Sequence, residues 1–383
     1  MNLVRKILIL IIIVLFSYII YSLMQYRRAI ISGINEYKSK KMQIEGFTED
    51  DDPNKDAIEA DIKSISNKIL VQIENDNKPI IYKNYDSRND GMSIKDMFIK
   101  ASYNSAFTGR YLSTKMVKFC LSQGCRFLDF EVEHNSANGI VEVTCKNTAG
   151  SSPTNKTVSG AKNPSLLDIL QCTLDAAFRS NSGSKYPITN MNDPLFINIR
   201  CSQSTYDSNV YPLVLQKLMS DDNYKSYLDC SGANFINYNN TPPTMQSLKN
   251  KAIILFCSTD NVGSTIEKSS NIGYYLTDTT GRHPQTYSDI IPKKTVNNSN
   301  SFVFVFSDPT YLDQIIPNPD VFTSIKDWGY NITCISYYNY YKNAYLTQNE
   351  RKYENMFIDF NYSFIPMSSL KSYISTHPLY VKP

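Results

Sequence analysis

Histidine is scarce in this sequence: only His134, His283 and His377 occur among 383 residues. Histidine is the side chain that most often acts as a general acid or base near neutral pH, and it is a common metal ligand. Neither His134 nor His377 has a recognisable nucleophile or orienting partner in the sequence around it, so we do not expect either to be catalytic.

Closely spaced cysteines are also lacking. The sequence has no C-x-x-C pair, which excludes a zinc ribbon and a thioredoxin-type redox motif. In a chain of this length, scattered cysteines within apolar runs are typical of reduced, buried thiols and not of a disulfide framework. The eight cysteines occupy positions 120, 125, 145, 172, 201, 230, 257 and 334.

The chain carries no large excess of either charge. Lys and Arg number 39 and Asp and Glu 36, for a net charge of +3, so no global basic surface predicts a nucleic-acid partner. Hydrophobic residues make up 42% and charged residues 20%, as in ordinary globular proteins. The 28 tyrosines and single tryptophan, with abundant Asn, Lys and Ile, are typical of AT-rich genomes such as those of large DNA viruses and some protists.

The N-terminus contains a long uncharged run, from Ile7 to Met24. At about 1.5 Å per residue this run would be ~27 Å long as a helix, which nearly spans a hydrocarbon core. A cleaved signal peptide would have a shorter apolar run followed by a site of small residues, which is absent here. We therefore predict a single-pass transmembrane anchor over residues 7–26. Basic residues are more numerous on its C-terminal side, which predicts a cytosolic body.

A polar segment follows and forms a predicted linker or stalk over residues 27–85. Within it, isoleucines recur every three or four residues between Ala57 and Ile73, which predicts an amphipathic helix. Two interpretations remain open: the apolar stripe packs against the body, which we favour, or it forms a short self-association seam. The stripe consists of Ile58, Ile62, Ile65, Ile69 and Ile73.

Beyond residue 86, short apolar runs alternate with helical patterns. Helices are predicted over Ser113–Gln123 and Ser165–Phe178, each with a serine that can cap its N-terminus. Strands separated by helices indicate a parallel α/β sheet, and the number of candidates favours a TIM-type (β/α)8 barrel. The main predicted strands are Cys125–Val132, Ile140–Cys145, Pro194–Cys201, Ala252–Cys257, Ser301–Phe306 and Ile332–Tyr338.

An ordered series of motifs runs through the body. IKASYNSAFTG stands at 99–109, GCRFLDFE at 124–131 and FINIRCS at 196–202. SLKNK at 247–251, WGYN at 328–331 and the final LYVKP complete the series. Together these motifs resemble the X and Y regions of phosphatidylinositol-specific phospholipase C, in which the first motif reads I-x-x-S-H-N-T-Y-L-x-G. The resemblance covers roughly residues 90–383 and implies a distorted barrel. Its X half would span about 90–257, its linker 258–300 and its Y half 301–383.

The resemblance also implies where calcium would bind. In the family the ion is held by an Asn, a Glu-x-Asp pair and a further Glu. Asn104 stands at the first position, and the pair is present in swapped order as Asp129 and Glu131. Arg200 stands at the last position, where a fixed positive charge replaces a carboxylate. We expect Arg200 to replace the ion and pair with the carboxylates, so the metal set would be vestigial and no cofactor is expected.

The catalytic positions that the resemblance implies are altered as well. Tyr103 stands where the family has its first histidine, and Lys156 lies near the place of the second. The positions of two phosphate-binding lysines fall at Leu255 and Cys257. The sequence therefore predicts a barrel without working catalytic residues.

Three functions remain open at this stage. The favoured one is a membrane-anchored, phospholipase C-like protein without catalysis, with a structural or binding role such as that of a virion membrane protein. Its partners would be the membrane and either phosphoinositide headgroups or capsid proteins. The alternatives are an active, calcium-dependent phosphoric diester hydrolase and a lipid-headgroup binding module without turnover.

Overall fold

The computed structural model describes most of the body. The described residues are 54–72, 80–136, 139–145, 163–179, 185–201, 214, 217–218, 220–228, 243–258, 285–286, 304–306, 318, 320–326, 329 and 331–377. The predicted anchor, the loop with Lys156 and the terminal LYVKP lie outside them. Residues from Asp56 onward form one compact unit. Within the described ranges, every helix is too short or too polar to cross a membrane.

A mixed sheet of nine strands forms the centre of this unit. Seven strands follow the order β5-β4-β2-β1-β8-β7-β6, and all neighbours in this series are parallel. The predicted parallel α/β class is therefore confirmed, and the sheet is consistent with a barrel of the phospholipase C type. The strands are β1 Met97–Ser102, β2 Phe127–Asn135, β3 Ile140–Thr144, β4 Leu195–Cys201, β5 Ala252–Ser258, β6 Gln285–Thr286, β7 Phe304–Phe306, β8 Ile332–Ile335 and β9 Phe364–Pro366.

Two strands stand outside the parallel series. β3 pairs antiparallel with β2, and β9 pairs antiparallel with β1. The sequence predicted β3 as one more strand of an alternating series, but the chain between β2 and β3 is too short for a crossover helix, so a hairpin forms. The predicted strand over Ile332–Tyr338 is also wrong at its end. β8 stops at Ile335, because the Ser336 N–H donates to Asn318 Oδ1 (2.7 Å) and a helix starts at Tyr337.

Most helices pack on the outer face of the sheet, whereas Met245 and Leu248 of one short helix belong to the interior cluster with Ile99 and Phe127. The two predicted N-caps are confirmed: Ser113 Oγ accepts the Lys115 N–H at 3.1 Å, and Ser165 Oγ accepts the Asp168 N–H at 3.1 Å. The helices are α1 Lys55–Gln72, α2 Thr114–Ser122, α3 Leu166–Phe178, α4 Met245–Leu248, α5 Val321–Lys326, α6 Tyr337–Lys342, α7 Gln348–Phe360 and α8 Met367–Thr376.

The sheet separates two apolar layers. On β1, Ile99 and Ala101 belong to an interior cluster with Phe127, whereas Phe98 packs with the helices, its ring 5.7 Å from that of Phe357. This alternation follows from the period of two along a strand. Residues of β2 and β4 in the same phase as Phe127 therefore face the interior.

Helix α1 packs against the body. Ile58, Ile62, Ile65 and Ile69 are each at most 1% exposed and belong to the same apolar cluster as the outer helices. The stripe is thus buried within the chain. Of the two interpretations open for this segment, packing against the body is confirmed for the described part.

A buried ion pair joins β1 to α7. Lys100 Nζ lies 2.6 Å from Glu354 Oε2, and both side chains are fully buried. Lys100 also donates to the Tyr82 hydroxyl at 2.7 Å. Removing two charges from water is costly, and such a pair is tolerated where close geometry and further hydrogen bonds compensate.

Candidate functional site

The candidate site lies at the C-terminal ends of β1, β2 and β4. Parallel strands place these ends at one edge of the sheet, where barrel enzymes form their active sites. Asp129 and Glu131 alternate with Phe130 on β2, so both carboxylates point to the interior. In register, Glu131 pairs with Arg200 of β4, which brings the three side chains together.

The Arg200 guanidinium contacts all three side chains that the sequence places at the metal positions. Its Nε donates to Asp129 Oδ1 and Oδ2 at 3.0 and 3.2 Å, and its Nη2 donates to Asp129 Oδ2 at 3.1 Å. The same Nη2 donates to Asn104 Oδ1 at 2.6 Å, and Nη1 donates to Glu131 Oε2 at 3.3 Å. The predicted ion pairs of Arg200 are therefore present. These four residues are called the Arg200 centre below.

The Arg200 centre is buried and electrostatically coupled. Arg200 is 6%, Asp129 0% and Glu131 3% exposed. Burial alone would lower the pKa of Arg200, but the nearby Asp129 and Glu131 outweigh it, so that pKa lies well above its usual range. The guanidinium stays charged, and its single positive charge faces two carboxylates.

Tyr103 stacks under this guanidinium. Arg200 Cζ lies 4.8 Å from the centroid of the Tyr103 ring, a distance typical of a cation–π contact. Burial raises the pKa of the Tyr103 hydroxyl well above its usual range. Tyr103 is therefore neutral near pH 7, and it cannot exchange a proton as readily as an imidazole would.

Asn104 connects the centre to its surroundings. Its φ is +46°, in the left-handed region that Asn adopts more readily than most residues. Its N–H donates to Asp129 Oδ2 at 3.1 Å, and its Nδ2 donates to Cys145 Sγ at 3.3 Å. Asn104, which matches the Asn of the family motif, thus bonds to a carboxylate through its backbone N–H and to a guanidinium through its side-chain oxygen.

The sequence did not indicate several residues that contact the centre, among them Asn198 and Cys145. Asn198 Nδ2 donates to Asp129 Oδ1 at 2.8 Å, and Cys145 at the end of the β2–β3 hairpin contacts Asn104. Asn198 could have been found, because it lies two residues before Arg200 on the same face of β4. Cys145 carried no such signal, since its position depends on the antiparallel pairing of β3.

The remaining predicted positions lie as follows. Leu255 of β5 is buried in the interior cluster, opposite Asn198 in register, so no cation stands at that position. Cys257 pairs in register with Arg200. His134 lies in β2, opposite Val141 of β3. His377 follows α8, with its ring 4.7 Å from that of Tyr373.

The oxygens that could hold a metal ion are Asn104 Oδ1, the Asp129 carboxylate and Glu131 Oε2. Each accepts a hydrogen bond from Arg200. A divalent cation among them would stand within a few ångströms of the guanidinium, so the arrangement does not fit calcium. Within the described part of the chain, no three His, Cys, Asp or Glu side chains converge as metal ligands.

Comparison with known proteins identifies the fold. No family model matches the chain, and no curated protein matches it in sequence. Solved structures do match: the fold is that of the phosphatidylinositol-specific phospholipase C-like phosphodiesterases. At the identities found, which are below 25%, such a likeness shows the fold alone.

Individual structures give the extent of this likeness. PLC21 from S. officinalis has a TM-score of 0.50 and 13% identity, covering 74% of this chain and 38% of that chain. PLC21 from L. pealei has a TM-score of 0.46 and 12% identity, covering 73% and 37%. A calcium-dependent phosphoinositol-specific phospholipase C from Pseudomonas sp has a TM-score of 0.44 and 12% identity, covering 75% and 99%. The chain thus spans less than two fifths of the two PLC21 chains.

Proposed function

We propose that this protein is a membrane-anchored member of the phospholipase C-like fold that does not hydrolyse phosphodiesters and has a structural or binding role. The supporting observation is the position of Arg200, whose guanidinium bonds to Asn104, Asp129 and Glu131. The proposal includes closure of the parallel sheet into a TIM-type barrel and a cytosolic body behind the anchor at residues 7–26.

Phosphodiester cleavage needs three things that this centre lacks. A general base must take a proton from the attacking hydroxyl, an acid must protonate the leaving oxygen, and positive charge must stabilise the phosphorane. Tyr103 is buried and neutral, with its pKa raised by burial. The charge of Arg200 is already offset by Asp129 and Glu131, so the centre offers no net positive charge to a phosphate.

Electrostatics also disfavours calcium beside Arg200. Two unit charges at ~4 Å interact with about 4 kcal/mol at an effective dielectric of 20. A divalent ion would therefore meet a repulsion of roughly 8 kcal/mol from the guanidinium, before its attraction to the carboxylates is counted. Those carboxylates already have a cation in Arg200, so calcium would gain little by displacing it.

Hydrolysis of phosphatidylinositol by the full-length protein in mixed micelles tests this proposal. We expect no turnover with calcium or with chelator. Asp129→Ala serves as the matched control, because it removes a residue of the centre that any enzymatic mechanism would require. Turnover that disappears in Asp129→Ala would contradict the proposal and support the hydrolase.

A reverse experiment strengthens the test. Tyr103→His combined with Arg200→Glu restores the family residues at two positions. We expect no recovery of activity, because Leu255 still stands where a phosphate-binding lysine would be needed. A calcium-dependent gain of turnover in this double variant would show that the altered centre alone had blocked catalysis.

A further inference from the structure

Helix α1 contains a buried carboxylate within its apolar stripe. Asp61 is fully buried, on the face that also carries Ile58, Ile62 and Ile65. A leucine there would pack without the cost of removing a charge from water. A helix that served only to cover the core would have no need of this carboxylate.

Within the described residues, the hydrogen-bond partners of the Asp61 carboxylate lie in the loop 103–113, here called the β1–α2 loop. Its Oδ2 accepts from Thr108 Oγ1 at 3.0 Å, and both of its oxygens accept from Arg110 Nε at 3.1 Å. Arg110 Nη2 completes a bidentate ion pair. Charge-assisted bidentate pairs are among the strongest and most directional side-chain contacts.

Hydrogen bonds within the β1–α2 loop connect Thr108, which contacts Asp61, to the part of the loop that contains Asn104. Thr108 Oγ1 accepts the Tyr111 N–H at 3.1 Å, and the Thr108 N–H donates to the Tyr111 carbonyl at 2.9 Å. The Phe107 N–H donates to the Asn104 carbonyl at 2.9 Å. These bonds connect the residues that contact Asp61 to the start of the loop, which carries Tyr103 and Asn104 of the site.

Helix α1 holds a second segment beside this loop. Lys68 Nζ donates to the carbonyls of Tyr340 and Tyr341 at 2.6 and 2.9 Å, near the C-terminal end of α6. The Phe107 ring packs edge-on against Tyr338 of the same helix at 5.0 Å. The loop is thus enclosed between α1 and α6.

We propose that α1 is a strap that holds the β1–α2 loop in the position in which Asn104 contacts Arg200, and that Asp61 is its positioning residue. This inference rests on the proposed function only in taking the Arg200 centre as the functional site.

Cys145 provides the measurement, because its buried thiol lies 3.3 Å from Asn104 Nδ2 and packs in one cluster with Phe107 of the loop. Native-state alkylation of the full-length protein, read per cysteine by mass spectrometry, reports local opening of the loop. Cys125, buried against the Tyr337 hydroxyl, is the internal reference for global unfolding, and the less buried Cys172 shows that the reagent is active.

Asp61→Asn keeps the side-chain volume and removes the charge. We expect alkylation of Cys145 to accelerate by about 10- to 100-fold, as for loss of a hydrogen bond to a charged group, with Cys125 unchanged. Thr108→Val cuts the same contact from the loop side and should act in the same direction. Glu59→Gln is the matched control, because Glu59 binds Lys115 and Lys185 and not the loop.

Two results would overturn the strap. Unchanged alkylation of Cys145 in both Asp61→Asn and Thr108→Val would mean that α1 merely covers the core. A parallel rise at Cys145 and Cys125 would mean global destabilisation. Alkylation does not require hydrolysis, so failure of this test leaves the proposed function standing, and turnover in the hydrolysis assay leaves the strap standing.

Discussion

Arg200 is the residue on which the candidate site depends most. Without its guanidinium, Asp129 and Glu131 would remain buried near each other with no counter-charge, which is costlier than the loss of the contact itself. The same two carboxylates and Asn104 would then resemble the oxygen ligands that calcium prefers. Removing the Arg200 guanidinium should therefore change both the stability of the protein and its sensitivity to metal ions.

We predict that Arg200→Ala lowers the free energy of unfolding by about 3–5 kcal/mol, as for a broken buried ion pair. The variant should also become sensitive to calcium. Thermal unfolding with chelator and with millimolar calcium measures both effects, because an ion that binds the folded state selectively raises the melting temperature. The unmutated protein is the control and should shift little. A clear calcium-induced rise in its melting temperature would reopen the hydrolase hypothesis.

Another buried carboxylate, that of Asp193, lies at the opposite ends of the strands from the Arg200 centre. Asp193, just before β4, accepts the Tyr85 N–H at 2.7 Å and the Asn190 side-chain amide at 3.2 Å. Burial raises the pKa of Asp193 to about 6 from its usual 3.8, and Arg126 offsets this only in part. The folded state thus keeps a proton on Asp193 over a range in which the unfolded chain has released it.

The contribution of Asp193 to stability should therefore fall as pH rises. It is fully present below the unfolded pKa of 3.8 and is lost as pH rises through about 6. A shift of this size corresponds to roughly 3 kcal/mol at most. Urea denaturation of the unmutated protein and of Asp193→Asn across this range measures the difference. We expect that difference to depend on pH, and a constant difference would contradict the assignment.

At the scale of elements, α1 was foreseen as a helix with an isoleucine stripe, and its packing decided which of two interpretations held. The helices α2 and α3 were also predicted, and their serine N-caps are confirmed. Element ends were less predictable: β8 stops at Ile335 because Asn318, distant in sequence, bonds to the Ser336 N–H. A local pattern cannot contain such a contact.

We predict that Ile65→Ala destabilises the whole body by about 2–5 kcal/mol, as for other fully buried isoleucines. Chemical denaturation measures this, and Val71→Ala on the same helix is the matched control because Val71 is 76% exposed. If the α1 stripe were instead a self-association seam between copies of the chain, the substitution would change the oligomeric state. If Ile65→Ala left stability unchanged and altered only the sedimentation of the protein, the self-association interpretation would return.

At the scale of the whole molecule, membrane attachment remains a prediction from the uncharged run at residues 7–24. We expect deletion of residues 1–28 to move the protein from the membrane pellet to the soluble fraction, since a spanning helix anchors far more strongly than surface contacts. Pelleting in low and high salt measures this. Pelleting that survives both the deletion and high salt would show that another part of the chain holds the bilayer.

The sequence by itself determined the alternation of strands and helices, the helix caps, the stripe of α1 and the shared face of Asp129 and Glu131. These features are periodic or local, so neighbouring residues carry them. That Arg200 would meet this pair followed from the resemblance to a known family, which supplies the register between strands that periodicity cannot.

Tertiary structure alone decided the rest. The partner of Lys100 is Glu354, 254 residues away, and that of Asp61 is a loop 47 residues away. In the sequence, Lys100 and Asp61 are recognisable only as charged residues that interrupt apolar runs. A buried charge must find its counterpart wherever the fold brings one close, because leaving it unpaired costs several kcal/mol. Which residue that is depends on the packing of α1 and α7 against the sheet, and no local pattern records it.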